Sequence, residues 1–339
     1  MKIAIHHRER GFSGRWIEYC KNQNIQFKLV NVFDSDIMAQ LKDCQVLMWH
    51  HSHIDFKSSI AAQSILGALE HTGVKVFPDH NTGWHFDDKV AQKYLLEAID
   101  APLVPSYVFY DKEEALSWVE KTEFPKVFKL KGGAGSTNVK LVHSKQQAVK
   151  LINKGFGKGF PFIDKWNYLK ELKYKKQPFF SYVLDVFRGV KRGLFPKNEK
   201  IQFQNERGYV YFQEFIPNND SDIRVIVIGN KAFAIKRLVR KGDFRASGGG
   251  SIIYDKTKID EKCVIIAFEV ASRLKTQSLA FDFVFDINQN PLIIEISYGF
   301  AAKAYDPCPG YWDSQMNWHK GQFVPQEWMV EDIIKSMDK

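Results

Sequence analysis

Apolar and polar positions alternate with two different periods along this 339-residue chain, and the order of those periods divides it into regions. Over roughly the first 80 residues, short apolar runs near 2–6, 26–32, 45–49 and 74–77 read as strands. Between them, near 12–22, 35–42 and 57–71, apolar residues recur every three or four positions, the spacing of amphipathic helices. Such alternation predicts a parallel sheet with helices on its faces. It lacks a Gly-x-Gly-x-x-Gly turn, so a dinucleotide is not indicated. A helix near 88–98 leads to a linker marked by Pro102 and Pro105.

The pattern then changes to α+β. A strand near 107–110 and a helix near 112–121 precede an apolar run at 125–131, a turn of Gly132, Gly133, Ala134, Gly135 and Ser136, and a strand at 138–142. Strand, glycine turn, strand is unlike a P-loop, in which Gly-Lys-Ser/Thr opens a helix. Two long strands follow at 209–215 and 222–228; Gly229 and Asn230 turn the chain, and 231–239 returns. A helix near 259–274 leads into a hairpin with arms at 279–286 and 291–297 around an Asn-rich turn. Centring that turn on Asn288 and Gln289 sets Asp286 opposite Pro291, Val284 opposite Ile293 and Asp282 opposite Glu295. Phe281, Phe283 and Phe285 fill the other face. An aromatic loop at 305–312 and an amphipathic helix near 325–337 end the chain. The expected division is an α/β domain at 1–87, a central subdomain at 88–205 and a C-terminal subdomain at 206–339.

Opposed carboxylates on a hairpin lie about 4.5–5.5 Å apart at Cβ and repel by roughly 3–4 kcal/mol in a partly shielded site. A shared hard cation such as Mg²⁺ turns that repulsion into a binding site; otherwise the side chains splay into solvent. Lys129 and Lys131 precede the glycine turn on one strand face, and backbone amides of such a turn approach phosphates without a Cβ in the way. A second basic group, Arg224, Lys236, Arg237, Arg240 and Arg245, leads to Gly248, Gly249 and Gly250 on strands expected to join the sheet of Asp282 and Glu295. Together these outline a nucleoside-triphosphate site. His50, His51 and His53 fall at a strand end, where open parallel sheets place ligands, and read as lining of a substrate cleft or as ordinary surface, ahead of a metal site.

The net charge of +9 is concentrated: positions 154–200 carry 12 Lys/Arg against 4 Asp/Glu, interleaved with aromatics. This insertion suits an acidic or lipid-linked acceptor, or is a solvated face. No nucleic-acid module is recognisable, so nucleic acid is not expected as a partner. No apolar run reaches the roughly 18–20 residues of a membrane span. The first strand turns polar at once, unlike a signal peptide, and Cys20, Cys44, Cys263 and Cys308 are dispersed like reduced thiols, so a cytoplasmic location is expected. No Ser/His/Asp or Cys/His arrangement is present.

In order and spacing these motifs resemble the ATP-grasp superfamily, the group of glutathione synthase, D-alanine–D-alanine ligase and the ribosomal-protein glutamate ligase. The resemblance runs over about 77–299, with the N-terminal unit similar to the Rossmann-like pre-ATP-grasp domain. It implies an ATP-grasp fold, ATP with Mg²⁺ or Mn²⁺, and ADP-forming ligation of a carboxylate, free or glycan-linked, to an amine through an acyl phosphate. It assigns Lys89 to the phosphates, Lys129 to the phosphates and adenine, and Gly132, Gly133, Gly135 and Ser136 to a mobile flap, with Lys131 placed at the phosphates by its position beside that turn. Glu214 with the backbone of Phe215 and Ile216 takes the adenine, and Asp222 the ribose. Arg224 falls near the reacting groups, Arg237 and Arg245 at γ-phosphate and substrate. Asp282 and Glu295 match the metal carboxylates, and Ser297 stands where the family commonly has a third ligand, Asn. Ala246 and Ser247 likewise replace a common Asn. These departures keep two alternatives: a non-catalytic nucleotide-binding regulator, or a phosphotransferase that stops at the acyl phosphate. Surface-polysaccharide or peptide modification is the expected setting, with a homodimer as the expected assembly.

Overall fold

The computed structural model describes residues 1–9, 11–52, 55–132, 138–161, 205–240, 243–245 and 251–337. Four parallel strands, β1 (Ile3–His6), β2 (Phe27–Val30), β3 (Val46–Met48) and β4 (Lys75–Phe77), form a sheet ordered β2-β1-β3-β4. Its helices, Ser13–Asn22 and Phe56–His71, fall where the apolar spacing places them. Aspartates start four helices by accepting a backbone N–H three residues on: Asp55 from Ser58, Asp79 from Thr82, Asp88 from Ala91 and Asp111 from Glu114. Each satisfies one of the orphan donors of a first helical turn.

The central sheet is antiparallel, β5 (Ser106–Phe109), β8 (Val210–Glu214), β6 (Lys126–Lys129), β7 (Val139–Val142), in that spatial order. β8 pairs with β5 on one side and β6 on the other, so it belongs here and not with the C-terminal subdomain, as a division at 205/206 would have it. The helix Lys145–Gly155, capped by Ser144, was not among the expected elements; its apolar face carries Ala148 and Ile152 into the core under this sheet.

The third sheet runs β13 (Pro291–Ser297), β12 (Ser278–Phe285), β9 (Ser221–Ile228), β10 (Lys231–Leu238), β14 (Gly310–Asp313), β15 (Trp318–Lys320), with Ile252–Ile253 as β11 beside β10. The expected aromatic loop therefore closes into a strand, pairing Tyr311 with His319 and Trp312 with Trp318. In the β12–β13 hairpin, Phe285 faces Pro291 and Val284 faces Leu292, one residue out of the expected register. A bulge between Asp282 and Phe283 absorbs Ile294 on the other arm and restores it, so Asp282 does face Glu295. Phe281 and Phe283 are buried against the helix Glu261–Leu274.

One core joins the ends of the chain. Ile3, Ile5, Trp16 and Phe77 pack with Ile226, Phe233, Tyr298 and Met329, the last from the closing helix Pro325–Lys335. All four cysteines are free and buried. No described helix is long and apolar enough to cross a membrane. Of the basic insertion expected over 154–200, residues 162–200, and with them most of the expected acceptor surface, lie outside the described residues.

Candidate active site

The three sheets surround a cleft of about 640 Å³. Period two along the strands decides which side chains reach it. On β9 and β12, Phe281, Phe283 and Val225 point into the core, so Arg224 and Asp282 point the other way, directly opposite each other across the ladder. Arg237 stands opposite Asp222 on the next strand pair. The Asp282 carboxylate accepts from Arg224 Nε and, at 2.7 Å, from Arg224 Nη2, and lies 3.0 Å from Arg237 Nη2. Burial would raise the pKa of Asp282, but the two guanidinium groups outweigh burial and hold it below the usual carboxylate range.

Lys89 opens its helix immediately after the Asp88 cap, and its ammonium sits 3.5 Å from Glu295 Oε1 and 3.8 Å from Asp87 Oδ1. Burial alone would lower its pKa; Glu295 and Asp87 reverse that, and it is raised. Lys129 ends β6 on the facing wall, only 5% exposed, with no ion pair among the described residues. Burial pushes its pKa down to about 8, against the pull of Glu295. A buried ammonium of this kind is stabilised by an arriving anion.

Val104, Val127, Val139, Val284 and Ile294 give the cleft an apolar stretch beside Phe215 and Ile216. The bulge turns both Ile294 and Glu295 toward it. Glu214 also lines it, but its carboxylate is held by Lys126 at 2.8 Å and by the Tyr107 hydroxyl at 3.1 Å. Arg245 reaches the cleft while paired with Asp243 at 2.7 Å.

Two expected contact residues are elsewhere. Lys131 lies past the end of β6, exposed, with its ammonium 2.9 Å from Asp88, so period two no longer carries it to the Lys129 side. Asp222 is fully buried behind Arg237, accepting from its Nε at 2.8 Å; it can orient that guanidinium but does not reach the cleft wall. The Gly132 amide donates to Glu206 Oε1 at 3.2 Å, and Lys131 N to Glu206 Oε2 at 3.1 Å, so a carboxylate already holds the start of the glycine turn. Gly133, Gly135 and Ser136, like His53, Ala246, Ser247 and Gly248 to Gly250, lie outside the described residues.

Asp282 and Glu295 offer hard oxygen donors across one ladder, and no larger acidic or His/Cys cluster exists among the described residues. That set fits Mg²⁺ or Mn²⁺, which binds through one or two carboxylates and fills its shell with water and substrate phosphate. Ser297 Oγ lines the cleft on the Glu295 face but donates to Gly299 O at 3.0 Å and accepts from Gly299 N at 3.2 Å, which leaves it one lone pair.

His50 and His51 line the N-terminal side of the cleft, at the carboxyl end of β3, together with Phe86, Gly299 and Arg8. Arg8 was not singled out by sequence. The signal was available: it follows β1 at the same sheet edge as the histidines.

Residues 197–305 match the RimK-like ATP-grasp domain. Over 229 residues the chain is 20% identical to the alpha-aminoadipate–LysW ligase LysX of Saccharolobus solfataricus, covering 68% of this chain and 67% of the relative. An ATP-grasp RimK domain protein of Sphaerobacter thermophilus superposes with a TM-score of 0.56 at 15% identity, over 99% of this chain and all of the other. The D-alanine–D-alanine ligase of Bacillus anthracis complexed with ATP gives 0.59 at 12% identity, over 100% and 98%. The shared architecture is the ATP-grasp fold.

Proposed function

We propose that this chain, an ATP-grasp superfamily ligase, joins a carboxylic acid to an amine at the expense of ATP, through an acyl phosphate. One observation carries the reading: a single cleft gathers Lys89, Lys129, Arg224, Arg237 and Arg245 around Asp282 and Glu295, beside an apolar slot. The slot suits a purine, the cations suit a triphosphate, and the carboxylates suit its divalent cation.

In this reading a carboxylate oxygen of the acid attacks the γ-phosphorus, the bond to the bridging oxygen breaks, and ADP leaves. The amine nitrogen then attacks the acyl carbon; the C–O bond breaks, phosphate departs and the nitrogen loses its proton. Lys89 and Lys129 hold the phosphates, and Arg237, braced by Asp222, meets charge on the transferred group. Arg224 faces the oxyanion of the tetrahedral intermediate. Bound Mg²⁺, held by Asp282 and Glu295, would supply charge neutralisation at the phosphates. Little covalent chemistry falls to the protein, so positioning and electrostatics bear the catalysis. The name of the LysX relative joins alpha-aminoadipate to LysW, which favours testing amino acids and peptides beside uronic acids.

The test is ADP release from ATP and Mg²⁺ with pooled amino acids, peptides and uronic acids, followed by mass analysis of the product. A carboxylate- and amine-dependent release with loss of one water between the substrates supports ligation. ADP release that needs only the acid, with an acyl phosphate trapped by hydroxylamine, replaces the reading with phosphotransfer.

A further inference from the structure

β8 ends at Glu214 in the central sheet, and β9 begins at Ser221 in the C-terminal sheet. The link between them, 215–220, carries Phe215 and Ile216 along the apolar slot of the cleft. Its start is tied to the central sheet, where Glu214 N donates to Pro105 O at 2.9 Å. A side chain of the link, Asn219, ties it to the strand that bears Asp282.

Asn219 Oδ1 accepts from Phe285 N at 2.8 Å, and its Nδ2 donates to Phe285 O at 3.0 Å. The β9–β12 ladder sets Arg224 opposite Asp282 and Ile223 opposite Phe283. Two residues on, the same register would set Ser221 opposite Phe285, but the ladder has ended. The Asn219 amide stands in for that rung, offering the one acceptor and one donor that a backbone residue would. Its Nδ2 also lies 3.2 Å from Pro217 O and 3.5 Å from Ile216 O, so the same amide grips the carbonyls of the link. Asn218, just before it, turns the chain at a φ of 64°, a left-handed conformation that Asn adopts more readily than most residues.

We infer that Asn219 is a positioning residue for the nucleotide: its amide fixes the link beside the purine slot to the strand of Asp282, and so holds the base end of the cleft in register with the phosphate end. The inference rests on the ligase reading and adds a residue that acts on the base through the backbone of Phe215 and Ile216. Without the Asn219 amide the phosphates still meet Lys89 and Lys129, while the slot for the base loosens.

The test titrates the full-length protein in Mg²⁺ with AMP-PNP and, separately, with inorganic tripolyphosphate, which offers three linked phosphates and no base. The wild-type protein should bind AMP-PNP the more tightly. Asn219→Ala should weaken AMP-PNP binding about five- to tenfold, the worth of one or two hydrogen bonds, and leave tripolyphosphate at the wild-type value. Asn219→Asp, nearly the same shape, keeps the acceptor for Phe285 N and loses the donor, so it should lower the AMP-PNP preference as well. A merely structural role would lower the urea midpoint and leave that preference unchanged in the folded variants, and this result overturns the inference. A loss shared equally by the two ligands overturns it too. So does a wild-type protein that binds both alike, since no base contact is then left for Asn219 to support. Should Asn219→Ala not fold, Asn219→Asp decides by the same ratio. A wild-type protein that binds neither ligand strikes the ligase reading and the inference with it, and the lost tripolyphosphate binding sets that result apart from the others.

Discussion

Lys129 sets the sharpest expectations at the scale of single residues. A side chain that is fully buried, with a pKa lowered to about 8 by that burial, loses its charge just above neutrality in the free protein. Only the charged form attracts phosphate, so ATP affinity should fall as pH rises through 8 toward 9. Lys129→Arg, charged throughout this range, should flatten the profile, and calorimetry at pH 7 and pH 9 checks both. Lys129→Ala should weaken ATP binding about 10- to 150-fold without unfolding the chain. Glu295→Gln should abolish Mg²⁺-dependent turnover. Sequence alone suggested that this change would relieve repulsion between opposed carboxylates. In the structure the Asp282 charge is already met by Arg224 and Arg237, and Glu295 faces the buried Lys89. The metal-free Glu295→Gln protein should therefore be destabilised, by about 1–3 kcal/mol, in a urea titration.

At the scale of elements, the start of the helix Lys89–Ala98 links stability to the site. Asp88 accepts from Ala91 N at 2.9 Å and so fixes the turn on which Lys89 is mounted. Asp88→Ala should cost about 1 kcal/mol of stability and raise the ATP dissociation constant, because Lys89 loses its anchor. Asp88→Asn keeps an accepting oxygen and should restore the cap. A urea midpoint that drops for Ala and recovers for Asn, with nucleotide affinity following, checks both halves. The β12–β13 hairpin makes a related point: one absorbed residue, Ile294, lets Asp282 and Glu295 face each other although the register nearer the turn is shifted.

At the scale of the molecule, the first and last segments share one core. Ile3, Ile5, Trp16 and Phe77 on the N-terminal unit are covered by Phe233, Tyr298, Trp328 and Met329. A fragment of residues 1–87 exposes that face to water and should give the poorly dispersed NMR spectrum of an unfolded or molten chain. A well-dispersed spectrum would show the unit to be autonomous. Trp16→Ala, at a fully buried position, should destabilise the whole chain by about 3–5 kcal/mol. The loss should appear together in probes of both ends, since the cavity opens between them.

Local chemistry was legible because it is local. Periodicity placed the four parallel strands, the helices at 89–98 and 112–121 and the long ladder of β9 and β10 from residues that are neighbours in sequence. The turn at Gly229 falls in the same class. The facing of Asp282 and Glu295 was legible too, since a hairpin joins its own ends. Tertiary structure decided the rest. Which sheet owns β8 depends on partners about 80 to 110 residues away, and no periodicity carries that information. That Asp222 is sealed behind Arg237, that Lys131 turns outward to Asp88, and that Arg8 reaches the same cleft as Arg245 are consequences of packing between sheets. Charge, unlike hydrophobic pattern, takes its meaning from what surrounds it: the sequence supplied the cations and carboxylates, and only the fold set which of them neutralise one another and which await a ligand.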